Sequence, residues 1–496
     1  MTAVDLIESQ EQQPRTGISV NPDAAESVTR AEQIALGWIT LLGIVCRLAA
    51  LRQPMRYDES VTWAYFVGRP WHTIVSQYQF PNNHVLYSLL AKATSSLAPW
   101  APWALRLPAL VAGIAIVPLT WAVGRRFADR ESALLGAALA AVSTPLALYS
   151  TNARGYSLIV VLFLCMLLQA HRMRPSPRVR DYAIVAMLAT LGLYTIPVML
   201  YPMTVVAVWL SLDWWKRPDG IRRMLLLIGS CVSAAVIAGI LYLPIIRTAG
   251  LAALAGNKFV APSSWFGLAR SLPHFAIEVA TTWAEPAPAL ATLLVVLFAV
   301  NGMKRSMSSL TPSLSWSAIA GCALVLVVTR RAPFVRVWLF LLPLYLIAVA
   351  RGCIQIWLRV TSGPASQWPT LILATALAAF AVGMRGAETT QDTGSFPSAR
   401  DVVALLAPHL RPGDRVLAPI PSNGPLLYYM SERGLDTASL TVSLVRAERA
   451  FLVLDVLRGQ SIPWALSSGM IDRDQFTEPM LVGRAGDAEL WSADRR

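Results

Sequence analysis

Charged residues are scarce in this chain. Asp, Glu, Lys and Arg make up 14% of its 496 residues, whereas hydrophobic residues make up 55%, and the mean hydropathy is +0.51. A soluble globular domain carries about 25% charged residues. The composition therefore excludes an ordinary soluble protein and indicates a chain that crosses a membrane many times.

Paired cysteines and nucleotide-binding motifs are lacking as well. The five cysteines follow no C-x-x-C spacing, which argues against a disulfide framework and against a zinc site; they are Cys46, Cys165, Cys231, Cys322 and Cys353. Neither a Gly-x-Gly-x-x-Gly fingerprint nor a Walker loop occurs, so no nucleotide site is expected. The triplet "DRD" (472–474) matches an Asp-x-Asp metal motif, but we interpret it as a chance match.

The net charge of +13 comes from short basic segments between the apolar runs. Examples are "GRRFADR", "HRMRPSPRVR" and "WWKRPDGIRR", which are typical of cytoplasmic loops that face anionic lipid. We therefore expect contact with membrane lipids and no nucleic-acid partner. The first 32 residues are polar and acidic, so we expect no cleaved signal peptide and a first span that directs its own insertion.

The apolar runs predict an all-α polytopic membrane protein with about eleven spans, within a range of 10 to 13. If the basic loops lie inside, residues 52–103, 148–154, 246–285 and 330–333 lie on the outer side. Residues 85–97 are too polar for a span and predict a helix along the outer interface. The predicted spans lie near 33–51, 104–123, 131–147, 155–171, 182–196, 197–212, 224–245, 286–302, 313–329, 334–351 and 367–384.

The character of the chain changes near residue 386. "SARDVVALLAPHL" predicts a helix capped by Ser398, and "GPLLYYMSERG" predicts another that ends at Gly434. "RPGDRVLAPI" and "AFLVLDV" predict strands. We therefore divide the chain into a polar cytoplasmic segment (1–32), a transmembrane domain (33–385) and an extracytoplasmic α/β domain (386–496).

The predicted outer segments carry charges that the topology does not explain. Asp58 and Glu59 follow the first span directly, and arginines occur at Arg154, Arg331 and Arg336. Ionisable groups at a membrane edge are costly unless they are paired or hydrated, so they are functional candidates. The alternatives are that Asp58 caps an interfacial helix and that the arginines extend towards lipid headgroups.

Four segments together resemble the GT-C membrane glycosyltransferases. They are the acidic pair in "MRYDESVTW", "NNHVLYSLL", "ARGYSL" and the arginine that leads into "WLFLLPLYLI". The likeness covers roughly residues 33–384. It is closest to the group with protein O-mannosyltransferases, the lipid A aminoarabinose transferase and rhizobial galacturonosyltransferases. The chain departs from that pattern at four positions. Asn82 and Asn83 precede the histidine, and Val85 and Gly155 stand where the family usually has proline.

The resemblance implies an inverting transferase that uses a polyprenyl-phosphate sugar donor at the extracytoplasmic face of a bacterial inner membrane. The acceptor would be a glycolipid or another envelope glycan. It implies that Asp58 is the general base and that Glu59 holds the acceptor or, with Asp58, a divalent metal ion such as Mg²⁺, Mn²⁺ or Zn²⁺. The expected donor-phosphate ligands are His84, Arg154, Lys258, Arg331 and Arg336, and the expected acceptor or sugar contacts are Tyr57, Asn83 and Tyr156.

Two other classes of function remain open on the sequence. A transporter or lipid flippase would also have many spans, but it predicts inverted repeats and charges near the midplane of the membrane. A non-catalytic scaffold of a glycan assembly complex predicts that Asp58 is dispensable.

Overall fold

The structure, a computed structural model, describes residues 28–256, 260–285, 289–306, 314–361, 367–442, 447–472 and 474–496. Within these ranges most of the chain is helical, and strands occur only after residue 414. The helices before the C-terminal region are α1 (Arg30–Leu51), α2 (Tyr57–Thr62), α3 (Trp71–Ser76), α4 (Val85–Ser95), α5 (Pro102–Phe127), α6 (Arg130–Val142), α7 (Thr144–Ser150), α8 (Tyr156–Met173), α9 (Val179–Thr195), α10 (Leu200–Trp214), α11 (Gly220–Leu241), α12 (Leu243–Ala249), α13 (Leu251–Ala255), α14 (Trp265–Ala284), α15 (Ala289–Ser306), α16 (Leu314–Thr329), α17 (Leu342–Thr361) and α18 (Gln367–Met384).

Short non-α turns extend three of these helices. A π-helical turn (Trp63–Val67) follows α2, and 3-10 turns precede α10 (Pro197–Met199) and α17 (Val335–Leu341). The remaining elements are α19 (Gly386–Thr389), α20 (Ala399–Leu406), β1 (Arg415–Leu417), α21 (Asn423–Glu432), β2 (Leu440–Thr441), β3 (Arg449–Asp455), α22 (Ile462–Ser467), β4 (Met480–Ala485) and β5 (Ala488–Asp494).

Seven helical segments of the described chain are long and apolar enough to cross a membrane, and α6 with α7, bent by 58°, makes an eighth if the pair is one span. Over the described residues, each predicted span overlaps a helix, or in the case of 131–147 the bent pair α6 and α7. The prediction of eleven crossings stays a prediction for α9, α15 and α16, of which α9 has 17 residues and α16 has 16. The seven segments are Arg30–Leu51, Pro102–Phe127, Tyr156–Met173, Pro197–Trp214, Gly220–Leu241, Val335–Thr361 and Trp368–Thr389.

Acidic side chains form ion pairs with the basic loops at the end of the bundle where α1 begins. The buried Glu32, in the first turn of α1, pairs with Arg125 at 3.0 Å and Arg130 at 3.3 Å. Asp213 pairs with Arg174 at 2.7 Å and with Arg217 at 2.9 Å. Since α1 has 22 residues and rises by about 1.5 Å per residue, its other end lies about 33 Å away.

The segment 246–285, predicted to lie on the outer side, contains the end of α12 and the helices α13 and α14. The predicted interfacial helix at 85–97 is α4. It packs against α5, α9 and α3.

The C-terminal region forms one sheet with strand order β2-β1-β3-β5-β4. β1 pairs in parallel with β2 and β3, whereas β5 runs antiparallel to β3 and β4. The two predicted strands are β1 and β3, and the two predicted helices are α20 and α21. Gly434 follows α21 with a left-handed φ of 67°, as predicted. Ser398 precedes α20, but its side chain makes no capping hydrogen bond.

The C-terminal sheet shares a hydrophobic core with the segments that follow α1. Met55, Val67 and Tyr87 belong to the same buried cluster as Phe396 and Leu426. The hydroxyl of Tyr428 donates to the carbonyl of Trp100 at 2.9 Å. The sheet therefore packs on the end of the bundle where α1 ends.

Candidate active site

Asp58 lies in the first turn of α2, six residues after Arg52, the C-cap of α1. The backbone N–H groups of Tyr57 and Asp58 donate to the carbonyls of Gly394 and Thr393, at 2.9 and 3.2 Å. The start of α2 is thus fixed by the linker, the segment of residues 385–398 that joins α18 to α20. This contact places Asp58 at the end of the bundle that carries the C-terminal sheet.

The Asp58 carboxylate is surrounded by cationic and amide groups. Its Oδ2 lies 3.1 Å from Nη1 of Arg154 and 3.9 Å from Nη1 of Arg336. Nδ2 of Asn82 donates to its Oδ1 at 3.3 Å. The Asp58 side chain keeps 13% of its surface exposed, against 4% for Arg154, although its Oδ2 is itself buried.

His84 caps the start of α4 and faces Arg154. Its Nδ1 accepts the Gly155 N–H at 2.8 Å, and its Nε2 lies 3.2 Å from Nη2 of Arg154. Burial, and after it the charges of Arg154 and Arg336, hold the pKa of His84 well below its usual range, so the ring is neutral at pH 7. With Nδ1 accepting, the single ring proton lies on Nε2. Two donors therefore face one another, and an anionic oxygen placed against both would satisfy them.

Arg336 and Tyr156 complete the group. Nε of Arg336 donates to the Tyr156 hydroxyl at 3.2 Å, and the Tyr156 ring lies 5.7 Å from the Arg154 guanidinium. Within the described residues, Nε of Arg154 is buried without a hydrogen-bond partner. We call Asp58, His84, Arg154, Tyr156 and Arg336 the Asp58 cluster.

Glu59 is separated from this cluster in spite of its place in the sequence. It is fully buried and forms an ion pair with Arg106 through both carboxylate oxygens. Its Oε1 also accepts the Arg56 N–H at 3.0 Å, and its Oε2 accepts the Ala153 N–H at 3.1 Å. Arg106 in turn donates to the carbonyls of Leu51, Gln53 and Pro54. Glu59 thus ties together the end of α1, the start of α2, α5 and the turn before α8.

The arrangement does not fit the expected metal site at Asp58 and Glu59. Both oxygens of Glu59 are taken up by Arg106 and backbone donors, and the nearest charges to Asp58 are arginines. Across the described ranges, no group of three or more His, Cys, Asp or Glu side chains could hold a metal ion. Asp472 of the "DRD" triplet instead accepts hydrogen bonds from Asp474 and Gln475.

The other predicted contacts lie near the cluster or apart from it. Asn83 is buried and donates to the carbonyls of Ile74 and Gln77, so it shapes the loop while Asn82 reaches Asp58. Tyr57 packs its ring and backbone against Gly424. Arg331 lies close to Tyr201 and stays a prediction as a phosphate ligand. Lys258 lies outside the described residues.

The structure adds two side chains that the sequence did not indicate. Asp392, in the linker, accepts a hydrogen bond from the Tyr149 hydroxyl at 2.5 Å and lies 3.9 Å from Nη1 of Arg336. The sequence feature that could have indicated Asp392 is an acidic residue soon after the last predicted span. A tyrosine at the end of an apolar run, like Tyr149, carries little signal of its own.

Two solved structures of ArnT from Cupriavidus metallidurans resemble this chain, one in the apo state and one bound to undecaprenyl phosphate. Each is 12% identical with a TM-score of 0.57, and each match covers 92% of this chain and 98% of the ArnT chain. No protein-family model matches the sequence, and no curated protein matches it. An identity of 12% bears on the fold alone.

The chain thus has the GT-C fold of membrane glycosyltransferases and is a multi-pass membrane protein. The predicted fold class, a helical membrane domain followed by a small α/β region, is confirmed.

Proposed function

We propose that the protein is an inverting glycosyltransferase that moves one sugar from a polyprenyl-phosphate donor to a lipid-linked or envelope glycan. The observation that carries this proposal is the Asp58 cluster itself. It joins a partly exposed carboxylate to two arginines and a neutral histidine at the end of a membrane bundle. The ArnT structure that binds undecaprenyl phosphate supports a lipid-phosphate donor.

Each member of the cluster has a role in a direct displacement. Asp58 accepts the proton of the acceptor hydroxyl as that oxygen attacks the anomeric carbon. The bond from this carbon to the phosphate oxygen breaks, and the lipid phosphate leaves with growing negative charge. Arg154, Arg336 and the Nε2–H of His84 stabilise that charge, and attack from the opposite face inverts the anomeric centre.

The ion pairs of Asp58 suggest an order of binding. Donor phosphate competes with the Asp58 carboxylate for Arg154 and Arg336. Asp58 is therefore free to meet the acceptor hydroxyl once the donor has bound. Glu59 is a positioning residue in this proposal, because both of its oxygens are engaged by Arg106 and the backbone.

The distribution of charge supports an extracytoplasmic site in a bacterial inner membrane. The Asp58 cluster lies beyond the end of α1, whereas basic loops meet Glu32 at its beginning. Basic loops favour the cytoplasmic side, which assigns the Asp58 end to the opposite face. A lipid-linked donor presents its sugar at that interface.

The test combines a strain that lacks the gene with the purified protein in detergent. Mass analysis of the envelope glycolipids should show one species short of a sugar, and the full-length gene should restore it. Purified protein should transfer sugar from a synthetic polyprenyl-phosphate sugar to the truncated glycolipid. Unaltered glycolipids, or restoration without transfer in detergent, would instead support a transporter or a scaffold.

A further inference from the structure

The linker brings a second carboxylate to the phosphate-binding arginine. Oδ1 of Asp392 lies 3.9 Å from Nη1 of Arg336, the same distance as Oδ2 of Asp58. The Arg336 side chain keeps 20% of its surface exposed. Arg336 therefore lies between two carboxylates, and a donor phosphate that binds it must compete with both.

The position of Asp392 is fixed by contacts from several elements. The Tyr149 hydroxyl at the end of α7 donates to Oδ2 at 2.5 Å, and the Thr393 N–H donates to Oδ1 at 2.7 Å. The buried guanidinium of Arg56 donates to four linker carbonyls, at 2.7 to 2.9 Å; they belong to Ala387, Glu388, Thr390 and Asp392. Burial lowers the pKa of Arg56 to about 10, so it stays charged at neutral pH.

Two neighbouring residues of the linker, next to Asp392, have a left-handed backbone conformation. Thr393 and Gly394 both have positive φ, of 63° and 76°. A Cβ at Gly394 would lie 2.6 Å from Cβ of Tyr57 and 2.8 Å from Cβ of Pro421. A left-handed conformation is costly for threonine and is kept only where the surroundings determine it. The linker thus presents Asp392 in one defined place.

The charges of the lipid phosphate before and after transfer differ. A sugar phosphodiester carries one negative charge, whereas the monoester that is left carries about 1.5 to 2 charges at pH 7. A fixed carboxylate beside the binding arginine opposes both species, and it opposes the more highly charged product more strongly. Without such opposition, the arginines of the Asp58 cluster would retain the product.

We propose that Asp392 is a positioning residue that holds Arg336 and competes with the lipid phosphate for it, which favours release of the product phosphate. This inference rests on the proposed function, since it needs a phosphate at Arg336. It assigns to the C-terminal linker a part in each catalytic cycle.

The test measures the dissociation constant of undecaprenyl phosphate for the purified full-length protein in detergent. Asp392→Asn keeps an oxygen that can accept from Tyr149 and removes the charge, so binding should tighten about tenfold. Arg336→Ala should weaken binding. Asp401→Asn makes the same chemical change on the exposed first turn of α20 and should leave binding unaltered. Transfer by Asp392→Asn should also be inhibited by less added undecaprenyl phosphate.

The outcomes distinguish a failure of this inference from a failure of the proposed function. If the wild-type protein binds no undecaprenyl phosphate, the proposed function fails. If it binds and Asp392→Asn binds equally or more weakly, the role of Asp392 is wrong while the proposed function stands. If Asp392→Asn does not fold, Asp392→Ser, whose hydroxyl can also accept from Tyr149, decides by the same measure.

Discussion

At the scale of the residue, Asp58 is the group on which the chemistry depends. Asp58→Asn removes the base and keeps a side chain of the same size, so transfer should fall by about 10² to 10⁴-fold. Affinity for undecaprenyl phosphate should not fall, because the change removes a negative charge beside the phosphate. The measurements are the rate of transfer in detergent and the dissociation constant. Transfer near the wild-type rate would exclude Asp58 as the base.

His84 predicts a pH dependence of stability. Its pKa lies well below the usual range in the folded protein and near 6.5, about the value of a free histidine, in the unfolded chain. Between these two values the unfolded chain binds more protons, so stability decreases as the pH falls below about 6.5. The loss is at most about 1.4 kcal/mol per pH unit for this one group.

The measurement is the apparent unfolding temperature in detergent at pH 7.5 and 5.5. His84→Asn supplies an amide oxygen near the position of Nδ1 and does not titrate, so its unfolding temperature should fall less than that of the wild-type protein. The exposed His72 is the matched control, and His72→Asn should keep the wild-type difference. An equal decrease in His84→Asn and wild-type protein would contradict a buried neutral His84.

Asp58 and Glu59 are adjacent in the sequence, but their surroundings in the structure differ in a way that the sequence does not predict. Successive residues of a helix point about 100° apart, so the two carboxylates of one pair enter different surroundings. Asp58 faces Arg154, whereas Glu59 faces Arg106. The sequence could place both acids at the membrane edge, but only the packing of α2 against α5 decides which one faces the substrate.

At the scale of the element, Arg56 connects α2 to the linker. Arg56→Ala would leave four linker carbonyls without their donor, and each lost charged hydrogen bond costs about 1.5 to 3 kcal/mol. We therefore expect a loss of at least about 3 kcal/mol and faster proteolysis between residues 386 and 398. Arg484→Ala breaks an exposed pair with Glu489 and should cost about 1 kcal/mol or less. Proteolysis at the wild-type rate in Arg56→Ala would contradict this role.

The turn between α7 and α8 needs glycine at residue 155. A Cβ there would lie 2.5 Å from Cγ2 of Thr195, and such overpacking costs about 1 to 3 kcal/mol. Gly155→Ala should lower the unfolding temperature, and adding Thr195→Ser, which removes Cγ2, should restore part of it. Gly155→Pro would also remove the N–H that His84 accepts. No recovery in the double variant would show that the clash is not the cause.

This turn also accounts for a departure from the family pattern that the sequence alone left unexplained. Proline is usual at this position in the resembling family, but it has no N–H to donate. Gly155 supplies that donor to His84 and permits the approach of Thr195. The segment was recognisable because "ARGYSL" keeps the arginine and the tyrosine, whereas the reason for its glycine lies in a contact with residues 71 positions away.

At the scale of the whole molecule, hydropathy was sufficient to predict the helical bundle but not the complete candidate site at its end. Within the described residues the predicted spans overlap helices, because about 20 apolar residues carry their own signal. The sequence proposed Asp58, Arg154 and Arg336 as charged groups near the ends of such runs and His84 through the family resemblance, and the structure brings the four side chains together. Asp392 was missed because it meets Arg56 across 336 residues, a pairing that no local pattern indicates. The hairpin of β4 and β5 was missed because its strands are only partly buried, whereas β3 is a continuous buried run.

The C-terminal region should accordingly be required for activity. Deleting residues 386–496 removes the linker that fixes the start of α2 and uncovers Met55, Val67 and Tyr87, which are buried against the C-terminal core. Burial of each such side chain contributes about 1.5 to 3 kcal/mol. We expect the deleted protein to insert into the membrane, because six of the seven candidate spans are intact and the seventh, Trp368–Thr389, loses only its last four residues. We expect it to lose sugar transfer and binding of undecaprenyl phosphate. A fusion after the exposed Arg496 changes the same end of the chain without removing the sheet, and it should keep both. Transfer by the deleted protein at the wild-type rate would show that the bundle alone forms the Asp58 cluster, and the part assigned to the linker would then be wrong.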